Sequence, residues 1–134
     1  MTVTLHNIAG LPAPQGFSHA SVARGSCIVY ISGQAGTGDN GAVVAGGLAA
    51  QVKRALLNVT AALQAAGGTN DDLARLTYYI VGWNVAMFDE LARGVRAARA
   101  ERPFADVAST LIGVTSLYTA DMLVEIDAVA VVES

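Results

Sequence analysis

The sequence is short of charge, of lysine, of cysteine and of long hydrophobic runs, and each shortage removes a class of function. Charged residues make up 14% of its 134 positions, against about 25% in an average soluble domain. Eight basic residues face eleven acids, for a net charge of −3, and Lys53 is the single lysine. No basic run and no basic patch interleaved with aromatics is present, so nucleic acid is not expected as a partner. A single cysteine, Cys27, permits no internal disulfide; it lies in an apolar, strand-like run and reads as a small core residue. A mean hydropathy of +0.46 would suit a membrane protein. Yet uncharged stretches such as 25–38 and 107–120 are broken by Gly, Ser and Thr, short of the about 20 apolar residues that a spanning helix requires. No membrane span is expected. The N-terminus has no basic segment followed by an apolar run, so no secretory signal is read and a cytoplasmic location is the default expectation.

Motifs for bound groups are also missing. His6 and His19 are too far apart to form a local ligand pair, and no metal is expected. Gly36-Thr37-Gly38 is not followed by Gly-Lys-Ser/Thr, and there is no dinucleotide fingerprint and no Gly-x-Ser-x-Gly elbow. No cofactor is expected.

What is present is apolar. Hydrophobic residues reach 53%, enough for one domain over 1–134 with a single core. The surplus apolar surface is most simply hidden between subunits, because obligate interfaces resemble a core cut in half, and a homo-oligomer is expected.

Along the chain, 2–6 reads as a first strand, and Pro12, Pro14 and Gly16 mark a turn. Residues 19–23 and 27–31 read as two strands joined by a short hairpin at Arg24-Gly25-Ser26. Six glycines between 32 and 47 indicate a mobile loop. Leu48, Val52, Leu56, Val59 and Leu63 recur at helical spacing, and Gly67-Gly68 is a stop signal. A strand follows over 73–81. Asn84 is positioned to cap a second helix with Met87, Phe88, Leu91 and Val95 inward and Arg93, Arg96 and Arg99 outward; Pro103 ends it. Strands at 107–114 and 122–132 complete the order β-β-β-α-β-α-β-β. The expected architecture is α+β, two helices packed on one face of a mixed sheet.

The last strand carries two acids in an apolar context. Side chains alternate across a strand, so Val124, Ile126, Ala128, Ala130 and Val132 share one face, and Glu125, Asp127, Val129 and Val131 the other. The carboxylates lie roughly 7 Å apart along it. Burying unpaired charge costs several kcal/mol, so such a pair belongs where it meets water, a cation or a substrate. Carboxylates on an apolar strand, hydroxyls beside a glycine-rich segment and an intersubunit crevice suit cofactor-free acid–base chemistry on a small molecule.

Tyr30-Ile31-Ser32-Gly33-Gln34, then Gln51-Val52-Lys53-Arg54-Ala55-Leu56-Leu57-Asn58-Val59, Ala65-Ala66-Gly67-Gly68 and the closing Leu123-Val124-Glu125-Ile126-Asp127-Ala128-Val129-Ala130 together resemble the Rid family of reactive-intermediate deaminases, also called YjgF. The resemblance implies a chorismate-mutase-like fold, a homotrimer built around a barrel, and clefts between neighbouring subunits. It implies a cofactor-free hydrolase that converts reactive enamines and imines, such as 2-aminoacrylate, to ketones or keto acids and ammonia. By the same resemblance Glu125 is the catalytic residue, positioning the attacking water, and Ser32 lies in the substrate-binding Ser-Gly-Gln turn.

The chain departs from the family pattern where the substrate is held. Family deaminases grip the substrate carboxylate with an arginine in a Pro-Ala-Arg-Ser-like motif; here Val107-Ala108-Ser109-Thr110 stands there, with Ser109 at the arginine position. A hydroxyl replaces neither the charge nor the fork of a guanidinium. Phe17 replaces a tyrosine in a Pro-Tyr-Ser-Gln-like motif, His19 takes the glutamine position, and Ala92 stands for a helix asparagine of some deaminases. Phe17, His19, Ser32 and Ser109 are thus the expected substrate-binding residues, and Glu125 keeps no cationic companion at position 109. The leading expectation is hydrolysis of an imine or enamine other than the usual amino-acid-derived kind. The alternatives are a small-molecule-binding homologue without turnover, or a specialised biosynthetic step such as cyclisation or tautomerisation. The acidic balance argues against an endoribonuclease role that has been attached to the family.

Overall fold

In the computed structural model, residues 2–133 are described. Six strands and two helices follow in order: β1 (Val3–His6), β2 (Ala20–Ala23), β3 (Cys27–Ala35), α1 (Gly47–Ala65), β4 (Leu73–Val81), α2 (Phe88–Glu101), β5 (Ala108–Val114) and β6 (Val124–Val132). The main sheet has the order β3-β6-β4-β5. β6 is antiparallel to both of its neighbours, and β4 pairs with β5 in parallel. α2 is the crossover that a parallel pair requires. The sheet is therefore mixed, with both helices on one face, as the sequence pattern anticipates.

Burial follows the two periodicities. On β6, Val124, Ile126, Ala128, Ala130 and Val132 are all buried, while Glu125, Asp127, Val129 and Val131 on the other face are half-buried. Leu48, Val52, Leu56, Val59 and Leu63 of α1 meet the buried set, together with Leu76 and Ile80 of β4. Each such side chain taken fully from water contributes about 1.5–3 kcal/mol. α2 lies against α1 at close range. A Cβ on Gly94 would fall 2.6 Å from the Ala49 carbonyl oxygen, so only glycine allows this approach.

Two local expectations change. Residues 24–26 do not close a hairpin: β2 pairs with β1 in a separate two-stranded sheet, and β3 pairs with β6. Arg24 N–H donates to the Thr2 carbonyl and Ser26 N–H to the Val132 carbonyl, so the chain changes sheets within three residues. The glycine-rich segment is not simply a loop. Its first four residues continue β3 past a register shift between Ile31 and Gln34. The rest folds back on itself through Gly38 N–H to Ala42 O and Val44 N–H to Gly36 O, both 2.9 Å. The Asn58 amide donates to the Ala35 and Thr37 carbonyls and ties this segment to α1.

The small β1–β2 sheet extends the main one at its β5 edge. Ser18 bridges Ala108, and Ala108 N–H donates to Ser21 Oγ at 2.8 Å. That contact sets Phe17 beside the start of β5.

Candidate functional site

The expected site residues fall into two groups on opposite faces of the main sheet. Phe17 and Ser109 share a cleft of about 520 Å3 between α2 and the β4–β5 edge on the helix-covered face. Ala92 and Tyr78 also line it, as do Arg96 and Arg99. The Ser109 hydroxyl donates to the Val107 carbonyl at 3.0 Å and is committed to its own strand.

Arg99 is not outward-facing. It pairs with Asp106 at 2.7 Å, its guanidinium lies 4.4 Å from the centroid of Phe104, and its Nη2 reaches the Gly16 carbonyl at 3.5 Å. The ion pair is off-line for a hydrogen bond, and Arg99 Nε is buried without a partner. Phe88, expected inward, is 42% exposed at the cleft. The reason lies at the helix start: Asn84 caps a short 3-10 turn over Val85–Met87, accepting from Ala86 N–H, and this turn shifts Phe88 out of the core.

Tyr78 is buried on the cleft floor, and loss of hydration pushes its phenol up to about 12; Arg99 opposes this shift and Asp106 reinforces it. The phenol therefore stays neutral at physiological pH and acts as a donor. It makes no hydrogen bond to the described residues.

His19 lies behind Phe17, the rings meeting edge to face at 6.4 Å. Ile8 N–H donates to its Nδ1 at 2.9 Å, and Nε2 faces the Pro12 carbonyl at 3.2 Å. This arrangement assigns the proton to Nε2. Both ring nitrogens are spent on holding the segment that carries Phe17.

Ser32 and Glu125 form the second group, on the open face. Glu125 pairs across β6–β3 with Ala35, and its carboxylate lies over Gly33, where any Cβ would run into it. The register shift at 31–34 and the glycine together make room for that carboxylate beside Ser32, which is exposed. Asp127 is not merely solvated: Tyr79 Oη donates to its Oδ2 at 3.0 Å. This bond raises the Tyr79 phenol above its ordinary value, with lesser contributions from burial and from the charges of Asp127 and Glu125. Arg75, on the same face, donates to Thr110 Oγ1 and favours the ionised phenol only weakly.

Sequence reasoning missed Tyr78 and Tyr79, although alternation along β4 places the two on opposite faces. It also set Arg99 outward, whereas Arg93 and Arg96 are exposed as expected, Arg96 at the edge of the cleft. No group of three or more His, Cys, Asp or Glu side chains suited to a metal occurs among the described residues, and no helix there is long and apolar enough to cross a membrane.

A two-helix layer on a mixed sheet of this strand order defines the class of chorismate-mutase-like α+β proteins. Within it, the chain belongs to the endoribonuclease L-PSP family, the Rid/YjgF proteins, whose family model matches residues 8–132. A Rid-family protein of unknown function from Yersinia pestis is 30% identical, with a TM-score of 0.84 over 98% of this chain and 99% of that one. TdcF of E. coli, solved with bound serine, is 26% identical, with a TM-score of 0.68 over 91% of each chain. The E. coli YjgF gene product is 25% identical, with a TM-score of 0.69 over 96% of this chain and 98% of that one. No curated protein matches the chain.

Proposed function

We propose that this chain is a Rid-type hydrolase that releases ammonia from a reactive imine or enamine, without a cofactor, in a cleft completed between copies of itself. The observation that carries the reading is the division of the site. Glu125 and Ser32 stand on one sheet face, Phe17 and Ser109 in a cleft on the other, so one copy presents two half-sites rather than a whole. The open face supports association. Ile28, Tyr30 and Ile112 lie on it at 59%, 76% and 39% exposure, an apolar surface that a second copy would cover. By likeness to the family the assembly is a homotrimer.

Chemically, water adds to the C=N carbon and the tetrahedral adduct expels ammonia, leaving the carbonyl product. Glu125 would orient that water and favour the protonated iminium, since stabilising developing charge is usually the largest catalytic contribution. The serine bound to TdcF shows a relative holding an amino-acid-sized molecule. Here the neutral, committed Ser109 makes three-carbon imino acids poor substrates.

Ammonia release from freshly generated 2-aminoacrylate and from a neutral imine with an unsubstituted nitrogen, such as that of cyclohexanone, tests the proposal. The neutral imine should be the better substrate, and Glu125→Ala should slow it about a hundredfold. Equal rates in wild type and variant would overturn the reading. A second reading, binding without turnover, is favoured by the Ser109 hydroxyl being spent on Val107. Recovery of a tight ligand chemically unchanged would support it.

A further inference from the structure

The cleft on the helix-covered face contains charge in an unusual place. Its floor has none to offer: Ser109 is neutral and committed, and Arg99 is matched by Asp106. On α2, Arg93 is also occupied, 3.5 Å from Glu90. Arg96 differs from both. It lines the cleft, is exposed, and makes no ion pair or hydrogen bond with the described residues. With Arg99 and Asp106 cancelling, the cleft carries one uncompensated positive charge, at its mouth.

Beside Gln15 and Thr110 the lining is mostly apolar, from Phe17, Phe88, Leu91, Val95 and Leu111, and 520 Å3 is far more room than a three-carbon acid fills. Pockets of this size take ligands approaching drug dimensions. Within the apolar part, the Tyr78 phenol is more than nine-tenths buried and without a partner, a donor waiting for an acceptor.

We propose that this cleft selects small molecules with an apolar body and one anionic group set apart from the reacting centre, the anion meeting the Arg96 guanidinium at the mouth and the body lying among Phe17, Phe88, Leu91 and Leu111. It rests on the imine-hydrolase reading only for what becomes of the bound molecule. The anion anchor has moved from the floor strand to the helix. An α-carboxylate at Ser109 would be stripped of water with no cation to receive it, whereas a terminal carboxylate at Arg96 keeps part of its hydration and gains a charge-assisted contact. Tyr78 would donate to a polar atom carried within the body.

Calorimetric titration of the full chain with 4-phenylbutyrate, with its neutral counterpart 4-phenyl-1-butanol and with propionate tests the proposal. Phenylbutyrate should bind about fivefold tighter than the alcohol at low salt, and propionate weakest. Arg96→Gln should remove the preference for the acid and leave alcohol binding intact. Arg93→Gln, a loss of equal charge from the same helix, should leave the preference in place. Absence of phenylbutyrate binding, equal affinity for acid and alcohol, or a preference surviving in Arg96→Gln would each overturn the inference. Because binding is read without turnover, the two proposals fail separately: a confirmed preference beside unchanged rates in Glu125→Ala sinks the hydrolase reading alone.

Discussion

The two faces of the main sheet are made from the same strands, residue by residue in alternation, yet they are built on different physical terms. On the helix-covered face, Val124, Ile126, Leu76 and Ile80 are buried to 1% exposure or less. The only ionisable side chain from that face of β4, Tyr78, is held neutral by burial. On the open face, the same strands present Glu125, Asp127, Tyr79 and Arg75 among exposed Ile28, Tyr30 and Ile112. One face holds the fold together. The other carries charge that the fold does not need and apolar surface that one copy leaves uncovered. On β6, core residues and the Glu125 half of the candidate site are thereby separated by a single residue along the chain, and changes at the two should act on different observables.

The sharpest contrast is between neighbours on β6. Ile126→Ala should lower the unfolding free energy by about 2–5 kcal/mol, the usual range for emptying a core site. Glu125→Ala should change it by about 1 kcal/mol or less while slowing turnover about a hundredfold. Chemical denaturation of the two variants checks the pair. A large stability loss in Glu125→Ala would erase the distinction between the faces.

The adjacent tyrosines of β4 give a smaller effect. Both phenols titrate high, Tyr78 because it is buried and Tyr79 because it donates to Asp127. For Tyr78 the folded value of about 12 lies above the ordinary 10.0. The unfolded chain therefore gives up this proton first. The stabilisation is complete below pH 10 and is lost as pH rises through 12, about 2–3 kcal/mol in all. Tyr78→Phe should flatten that alkaline limb of the stability curve. Asp127→Asn should leave the Tyr78 part of the limb in place and move one tyrosine absorbance titration, that of Tyr79, down toward its ordinary value.

Much of this division was legible in the sequence. The spacing of Leu48 to Leu63 located α1 and its buried stripe, the strand 73–81 has the expected bounds, and alternation sorted β6 into its two faces. The features that were not legible depend on contacts distant in sequence. Arg24-Gly25-Ser26 has the local chemistry of a hairpin, but its hydrogen bonds go to Thr2 and Val132. Gly33 looks like a loop glycine until the Glu125 carboxylate, ninety-two residues later, is seen lying over it. Arg99 belongs by period to the polar side of α2, and Phe104 and Asp106, beyond the proline that ends the helix, draw it back. Local pattern specifies which residues share a face; which face meets the helices is settled only by packing.

In the proposed hydrolase the open face is covered by further copies of the chain, since each cleft would otherwise lack half its residues. Sedimentation equilibrium of the wild type and of Tyr30→Asp measures this directly. Wild type should sediment at about three times the 13.7 kDa chain mass, and Tyr30→Asp, folded by circular dichroism, should shift toward the single-chain mass. A wild-type protein that sediments as one chain at micromolar concentration would contradict it.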